Sequence, residues 1–181
     1  MIELAVVRNS DELEKCGIWE LYERSFPWCE RRSLVAQRRA MASAEGFHCC
    51  KILRSGDVVG LMFYWQLPQF IFVEHLAVVE SCRGQGVGRR ALALLGRKGL
   101  PIILEIELPT DEATDRRLQF YLSCGFVELS VEHVQLPFHE DSSPVPMRLL
   151  SWPAPMSAVD VALLEQYLKD VVMSFVDGSS T

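Results

Sequence analysis

The chain lacks a CxxC pair, any apolar run near the ~20 residues that cross a bilayer, and any excess of positive charge. Its six cysteines stand at 16, 29, 49, 50, 82 and 124, without the spacing of a zinc site or a disulfide framework. Six small, buried, reduced thiols in a cytoplasmic protein are expected, with no metal bound. His48 beside Cys49-Cys50 does not change this, because adjacent cysteines lack chelating spacing and no second pair follows. The opening MIELAVVRNSDELEK carries acids where a secretory leader needs a basic start and a longer apolar stretch. Eighteen Lys and Arg against 24 Asp and Glu give a formal charge of −6, so the molecule's overall field favours neither nucleic acid nor an anionic membrane. What is present is ordinary for a soluble domain. With 49% apolar and 23% charged residues, 181 residues bury one substantial core without staples.

Residues 2–7 form a first strand, and Asn9 with Glu12 resembles a capping box that opens a helix ending at Phe26-Pro27. A second helix is expected over 30–44. Residues 49–54 and 58–66 read as a hairpin around Ser55-Gly56-Asp57, and 70–79 as a buried strand. A glycine-rich turn and helix follow over 84–99, then a buried strand over 100–108. Strand, helix and strand in this order indicate a parallel βαβ unit. A further helix spans about 114–124 with Gly125 as its stop, and 126–136 is a last strand region. Five prolines make 137–156 the expected loop or linker. Ser157 and Asp160 start a final helix whose apolar stripe carries Val161, Leu164, Leu168, Val171 and Phe175. The fold class is α/β (α+β), a mixed twisted central sheet flanked by helices. The expected division is a domain over 1–150 and a C-terminal helical appendage over 151–181, packed on the domain or at a dimer contact.

The segment Glu80 to Leu95, ESCRGQGVGRRALALL, carries the chemistry. Gly84, Gly86 and Gly88 fall between a buried strand and an amphipathic helix, where glycine lets the backbone turn sharply and approach a ligand. A helix N-terminus offers unpaired N–H groups and partial positive charge to a phosphate. Arg83, Arg89, Arg90, Arg97 and Lys98 add a local cationic stretch free of acids. Neither nucleotide fingerprint fits: Arg89 stands where a G-x-G-x-x-G loop needs its last glycine, and no G-K-[ST] follows.

The run Arg83-Gly84-Gln85-Gly86-Val87-Gly88 fully matches [RQ]-x-x-G-x-[GA], and Phe120-Tyr121 with Cys124-Gly125-Phe126 matches F-Y-x-x-x-G-F. On these motifs the chain closely resembles the GNAT acyltransferase superfamily, which transfers acetyl from acetyl-CoA to an amine. The likeness runs over about residues 2–135 in element order, with its specific motifs within 72–126. It implies acetyl-CoA as cosubstrate and an amine acceptor. It implies that the backbone from Gln85 to Arg89, with Arg83, Gly84, Gly86, Val87 and Gly88, cradles the pyrophosphate. Leu76, Ala77 and Val78 on the flanking strand then face the pantetheine arm in strand-like pairing. The strand over 102–108 resembles the one that splays away to admit that arm.

In such a transfer the amine must be neutral and the departing thiolate protonated. Tyr121 stands where the resemblance implies the acid. For the base, Glu74 leads, sharing by alternation a face with Leu76 and Val78, while His75 turns to the opposite side as a structural residue. Glu105 and Glu107 are the other candidates on the next strand. The acceptor site implied by the resemblance includes Trp28 and Glu30, with Glu107 nearby, and Trp28 and Glu30 suit a cationic amine. Arg31 and Arg32 suit a carboxylate equally, so the acceptor stays open. A non-catalytic acyl-CoA sensor is the competing reading, and the intact Tyr121 argues against it.

Overall fold

The computed structural model describes residues 1–177, and eight strands join one mixed sheet. The strands are β1 (Ile2–Val6), β2 (Phe47–Arg54), β3 (Asp57–Gln66), β4 (Ile71–Val78), β5 (Ile102–Glu107), β6 (Val127–Glu128), β7 (His133–Gln135) and β8 (Val145–Trp152). Their order is β1-β2-β3-β4-β5-β8-β6, with β7 also on β8. Only β4 and β5 run parallel, as the βαβ reading requires, and the remaining pairs are antiparallel.

Among the described residues six α-helices cover the sheet: α1 (Ser10–Lys15), α2 (Ile18–Ser25), α3 (Leu34–Ser43), α4 (Val87–Gly96), α5 (Glu112–Ser123) and α6 (Ala158–Asp170). On one face α4 contributes Val87, Ala91, Leu92 and Leu95, and α5 contributes Leu118 and Tyr121. On the other, Leu13, Ile18, Leu21 and Tyr22 pack from α1 and α2, and Val161, Leu164 and Leu168 from α6. Among the described residues no helix is long and apolar enough to cross a membrane.

Two expected helices are shorter than read. The first divides at Gly17, whose φ of +74° is costly for a residue with a Cβ and starts α2 in a new direction. The second begins only at Leu34, because Ser33 caps it: its Oγ accepts from the Ala36 N–H at 3.2 Å. Residues 28–30 form a separate 3₁₀ turn ahead of it.

The proline-rich stretch is the larger correction. Residues 145–152 are not a linker but β8, which pairs with all of β5 from Met147 to Trp152. Its prolines are tolerated because Pro146 sits at the start of the strand, while Pro153 and Pro155 follow its end. The strand straddles the expected division at 150/151. Beyond it, α6 rests on Trp65, Phe72, Ile103 and Leu149, so its apolar stripe is part of the domain's own core. Leu164→Ala is expected to cost about 2–5 kcal/mol by leaving a cavity there. Thermal denaturation checks this, with Tm falling by roughly 4–20 °C.

Candidate active site

Beside β5, β4 is paired only at its start. Ile71, Phe72 and Val73 face Ile102, Ile103 and Leu104, and from Glu74 onward the two strands separate. The separation opens a cleft of about 820 Å³. One edge of β4 continues to pair with β3 to Val78, so its other edge offers backbone groups to whatever enters. Leu76, Ala77 and Val78 all line this cleft.

At one end of the cleft lies the glycine loop. Gly86 caps α4 with φ +73°, and Arg90 N–H is the first to reach back, to the Gly86 carbonyl at 3.1 Å. The N–H groups of Val87, Gly88 and Arg89 therefore have no intrahelical acceptor and add the positive end of the helix dipole. Arg83, Gly84, Gly86, Val87, Gly88 and Arg89 line this end. This donor set suits a pyrophosphate. Gly88 has a packing reason as well, since an added Cβ would stand 3.1 Å from the Phe120 ring.

Side chains in the loop depart from expectation. Gln85 is outside the cleft lining; its amide donates to the Ser81 carbonyl at 2.8 Å and its oxygen accepts from Arg54. The Arg89 guanidinium is committed to Ser123, donating to its carbonyl at 2.6 Å and its Oγ at 2.8 Å, which leaves its backbone for a ligand. Arg83 Nε donates to the Val78 carbonyl at 3.1 Å. Of the cationic stretch, only Arg83 and Arg89 reach the cleft, and Lys98 lies on Gln66 instead.

Glu74 is corrected most sharply. Opposite β3, His75 pairs with Phe63 and Val73 with Tyr64, so Glu74 is the extra residue of a β-bulge. The bulge resets alternation and puts Glu74 and His75 on the same side, away from Leu76 and Val78. There Arg32, wholly buried, grips Glu74 with two hydrogen bonds of 2.5 and 2.7 Å. Burial alone would raise the Glu74 pKa, but the Arg32 charge, with its hydrogen bonds and the nearby His75 ring, lowers it to about 2. A carboxylate so held is a poor base at neutral pH. His75, expected on the side opposite Glu74, therefore shares its side: it is buried against Tyr22, Phe26 and Phe63, with Nε2 2.9 Å from the Glu30 carbonyl.

The opposite end of the cleft gathers Pro27, Glu30, Glu105, Glu107, Arg117 and Gln135, with Tyr121 on its wall. Glu105 accepts from His133 Nε2 at 2.7 Å and from Gln135 Nε2 at 3.0 Å. Glu107 is paired with Arg117 of α5. Tyr121 is buried between Phe120 and Phe126, its hydroxyl makes no hydrogen bond among the described residues, and burial raises its pKa. Arg117, one helical turn before it, opposes that rise.

Trp28 does not line the cleft. Its ring, half exposed, stacks on His139 with centroids 3.8 Å apart. Arg31 and Arg32 both have carboxylate partners already, in Glu23 and Glu74.

The sequence reading missed Arg117, Gln135 and Met147 in the lining. Arg117 was within reach, four residues before Tyr121 on one helix face. Gln135 and Met147 arrive through β7 and β8, a pairing no local signal announces. Among the thiols, Cys49, Cys50 and Cys82 are buried, whereas Cys16, Cys29 and Cys124 are only partly so, a correction to the expectation for all six. No group of three His, Cys, Asp or Glu suited to a metal occurs among the described residues.

A central sheet split beside a glycine-capped helix is the architecture of an acyltransferase. The family model described as Acetyltransferase (GNAT) family matches residues 16–126, and the chain belongs to that family. A chain from Bacteroides thetaiotaomicron titled as a GNAT-family acetyltransferase superposes with a TM-score of 0.86 at 29% identity, covering 94% of this chain and 98% of its own. A Bacillus subtilis acetyltransferase solved in complex with CoA shares the fold, with a TM-score of 0.51 at 18% identity over 83% of this chain and 95% of that one. YjbC of Bacillus subtilis (strain 168), which carries an acetyltransferase designation, is 42% identical over 64 residues. That match spans 34% of this chain and 33% of YjbC.

Proposed function

We propose that the protein is an N-acetyltransferase that moves an acetyl group from acetyl-CoA to a primary amine by direct attack in a ternary complex. The observation that carries this reading is a single cleft with three parts. It has a helix start with free N–H groups at one end, an unpaired strand edge along it, and an unbonded phenol among carboxylates at the other. In this reading the first-turn N–H groups of α4 hold the pyrophosphate, and Leu76 and Val78 position the pantetheine arm. Tyr121 donates its proton to the departing thiolate. Its raised pKa keeps the phenol protonated until that moment, and Arg117 steadies the phenolate that forms. The CoA complex of the Bacillus subtilis structure supports the choice of cosubstrate.

Tyr121→Phe is the test. The expected result is a kcat lower by about 100-fold, within the usual range for removing a general acid, with acetyl-CoA affinity unchanged. Thiol release and calorimetry measure the two quantities separately. An unchanged kcat would remove Tyr121 from the acid role.

A further inference from the structure

The structure assigns to Glu30 the task of binding an incoming primary alkylammonium and taking its proton, an inference that rests on the transferase reading above. Besides Tyr121, which the reading above uses as the acid, four other groups near the acceptor end can take a proton, and each is engaged. Arg32 holds both oxygens of Glu74, and Arg117 pairs with Glu107. His133 and Gln135 hold one oxygen each of Glu105. His75 points Nε2 at the Glu30 carbonyl and keeps Nδ1 3.6 Å from Glu74. The Glu30 carboxylate alone has no hydrogen-bond or ion-pair partner among the described residues.

It is nevertheless well placed. The 3₁₀ turn that carries it is pinned to β4 by His75, and its N–H donates to the Pro27 carbonyl at 3.0 Å. Burial raises its pKa first, and the charges of Glu107 and Glu105 raise it further against Arg117 and His75. An unpartnered, half-buried carboxylate lacks a counter-charge, and an ammonium supplies one. Among the described residues an acceptor carboxylate would find every arginine of this end already paired: Arg117 with Glu107 and Arg116 with Glu112 in the lining, Arg31 with Glu23 and Arg32 with Glu74 behind it. The acceptor class is therefore an alkylammonium without an adjacent carboxylate.

The step balances as follows. Glu30 takes one proton from the ammonium, and the freed nitrogen lone pair bonds to the thioester carbonyl carbon. As the C–S bond breaks, its electron pair leaves on sulfur, which takes the Tyr121 proton. The second proton lost from nitrogen restores Tyr121, and Glu30 releases its own to water. The products are an amide, the CoA thiol and one proton.

Wild type, Glu30→Gln and Glu30→Asp, each full length, are compared by thiol release with n-butylamine, 1,4-diaminobutane and glycine, from pH 6.5 to about 10. Wild type is expected to accept the two alkylamines and not glycine. Glu30→Gln is expected to lose about 100-fold at pH 7 with acetyl-CoA binding intact. Its deficit should shrink about tenfold per pH unit as the amine itself loses its proton, and Glu30→Asp should restore part of the rate. A Gln variant with the wild-type rate at pH 7, or with the same deficit at every pH, overturns the proton-accepting role. A wild type that binds acetyl-CoA yet acts on neither alkylamine overturns the acceptor class. Failure to bind acetyl-CoA at all would instead strike the transferase reading.

Discussion

Gly86→Glu is expected to weaken acetyl-CoA binding by at least about 100-fold while leaving the fold intact. Two physical effects combine. At φ +73° a residue with a Cβ pays on the order of 1–2 kcal/mol of backbone strain at the start of α4. The carboxylate also puts negative charge where the free N–H groups and the helix dipole receive phosphate. Apart from the adjoining backbone, no described atom lies within 4 Å of the Cβ position, so the side chain projects into open space rather than into the core. Gly86→Ala separates the two effects, since it carries the strain without the charge and should cost within about tenfold. Calorimetric titration gives the affinities, and a thermal melt shows that each variant is folded. Wild-type affinity in a folded Glu variant would contradict the loop assignment.

The second large effect is structural. Arg32→Ala strands the Glu74 carboxylate inside the protein and should destabilise it by about 3–5 kcal/mol, the usual cost of breaking a buried pair from one side. Tm should fall by roughly 6–20 °C. The pair also sets a pH dependence. Glu74 titrates near 4.5 when unperturbed and near 2 when folded, so its stabilisation is present above about pH 4.5 and fades as pH drops toward 2. Urea unfolding at pH 6 and pH 3 measures this: wild type should lose stability on acidification, and Arg32→Ala should gain relative to it as Glu74 becomes neutral. An equal loss in both proteins would show that the pair does not govern acid stability.

Much of the cofactor end was legible because local rules decide it. The strand over 71–78, the glycines at 84, 86 and 88 and the helix after them need only chain geometry and helix capping. The parallel partner at 102–107 follows from the crossover rule. Legibility ended where one residue or a distant segment overrides pattern. The bulge at Glu74 inverts the face that strict alternation assigns, because two residues of β4 answer to one step of β3. It moved the leading base candidate into a buried ion pair. The prolines around 145–152 mimic a linker, and only the long-range pairing with β5 turns that segment into β8. Glu30 stood in the acceptor set from the start. Its distinction rests on what its neighbours bind, and that depends on Arg32, Arg117 and His133 each finding another carboxylate.

The central claim is acetyl transfer from acetyl-CoA to an alkylamine, and product analysis tests it most directly. The purified protein is incubated with acetyl-CoA labelled in the acetyl carbonyl, together with 1,4-diaminobutane. Labelled amide is quantified by mass spectrometry against the thiol released. One labelled amide per thiol, with production lost in Gly86→Glu, is the predicted result. Thiol release without amide, or saturable acetyl-CoA binding with neither product, would contradict the account.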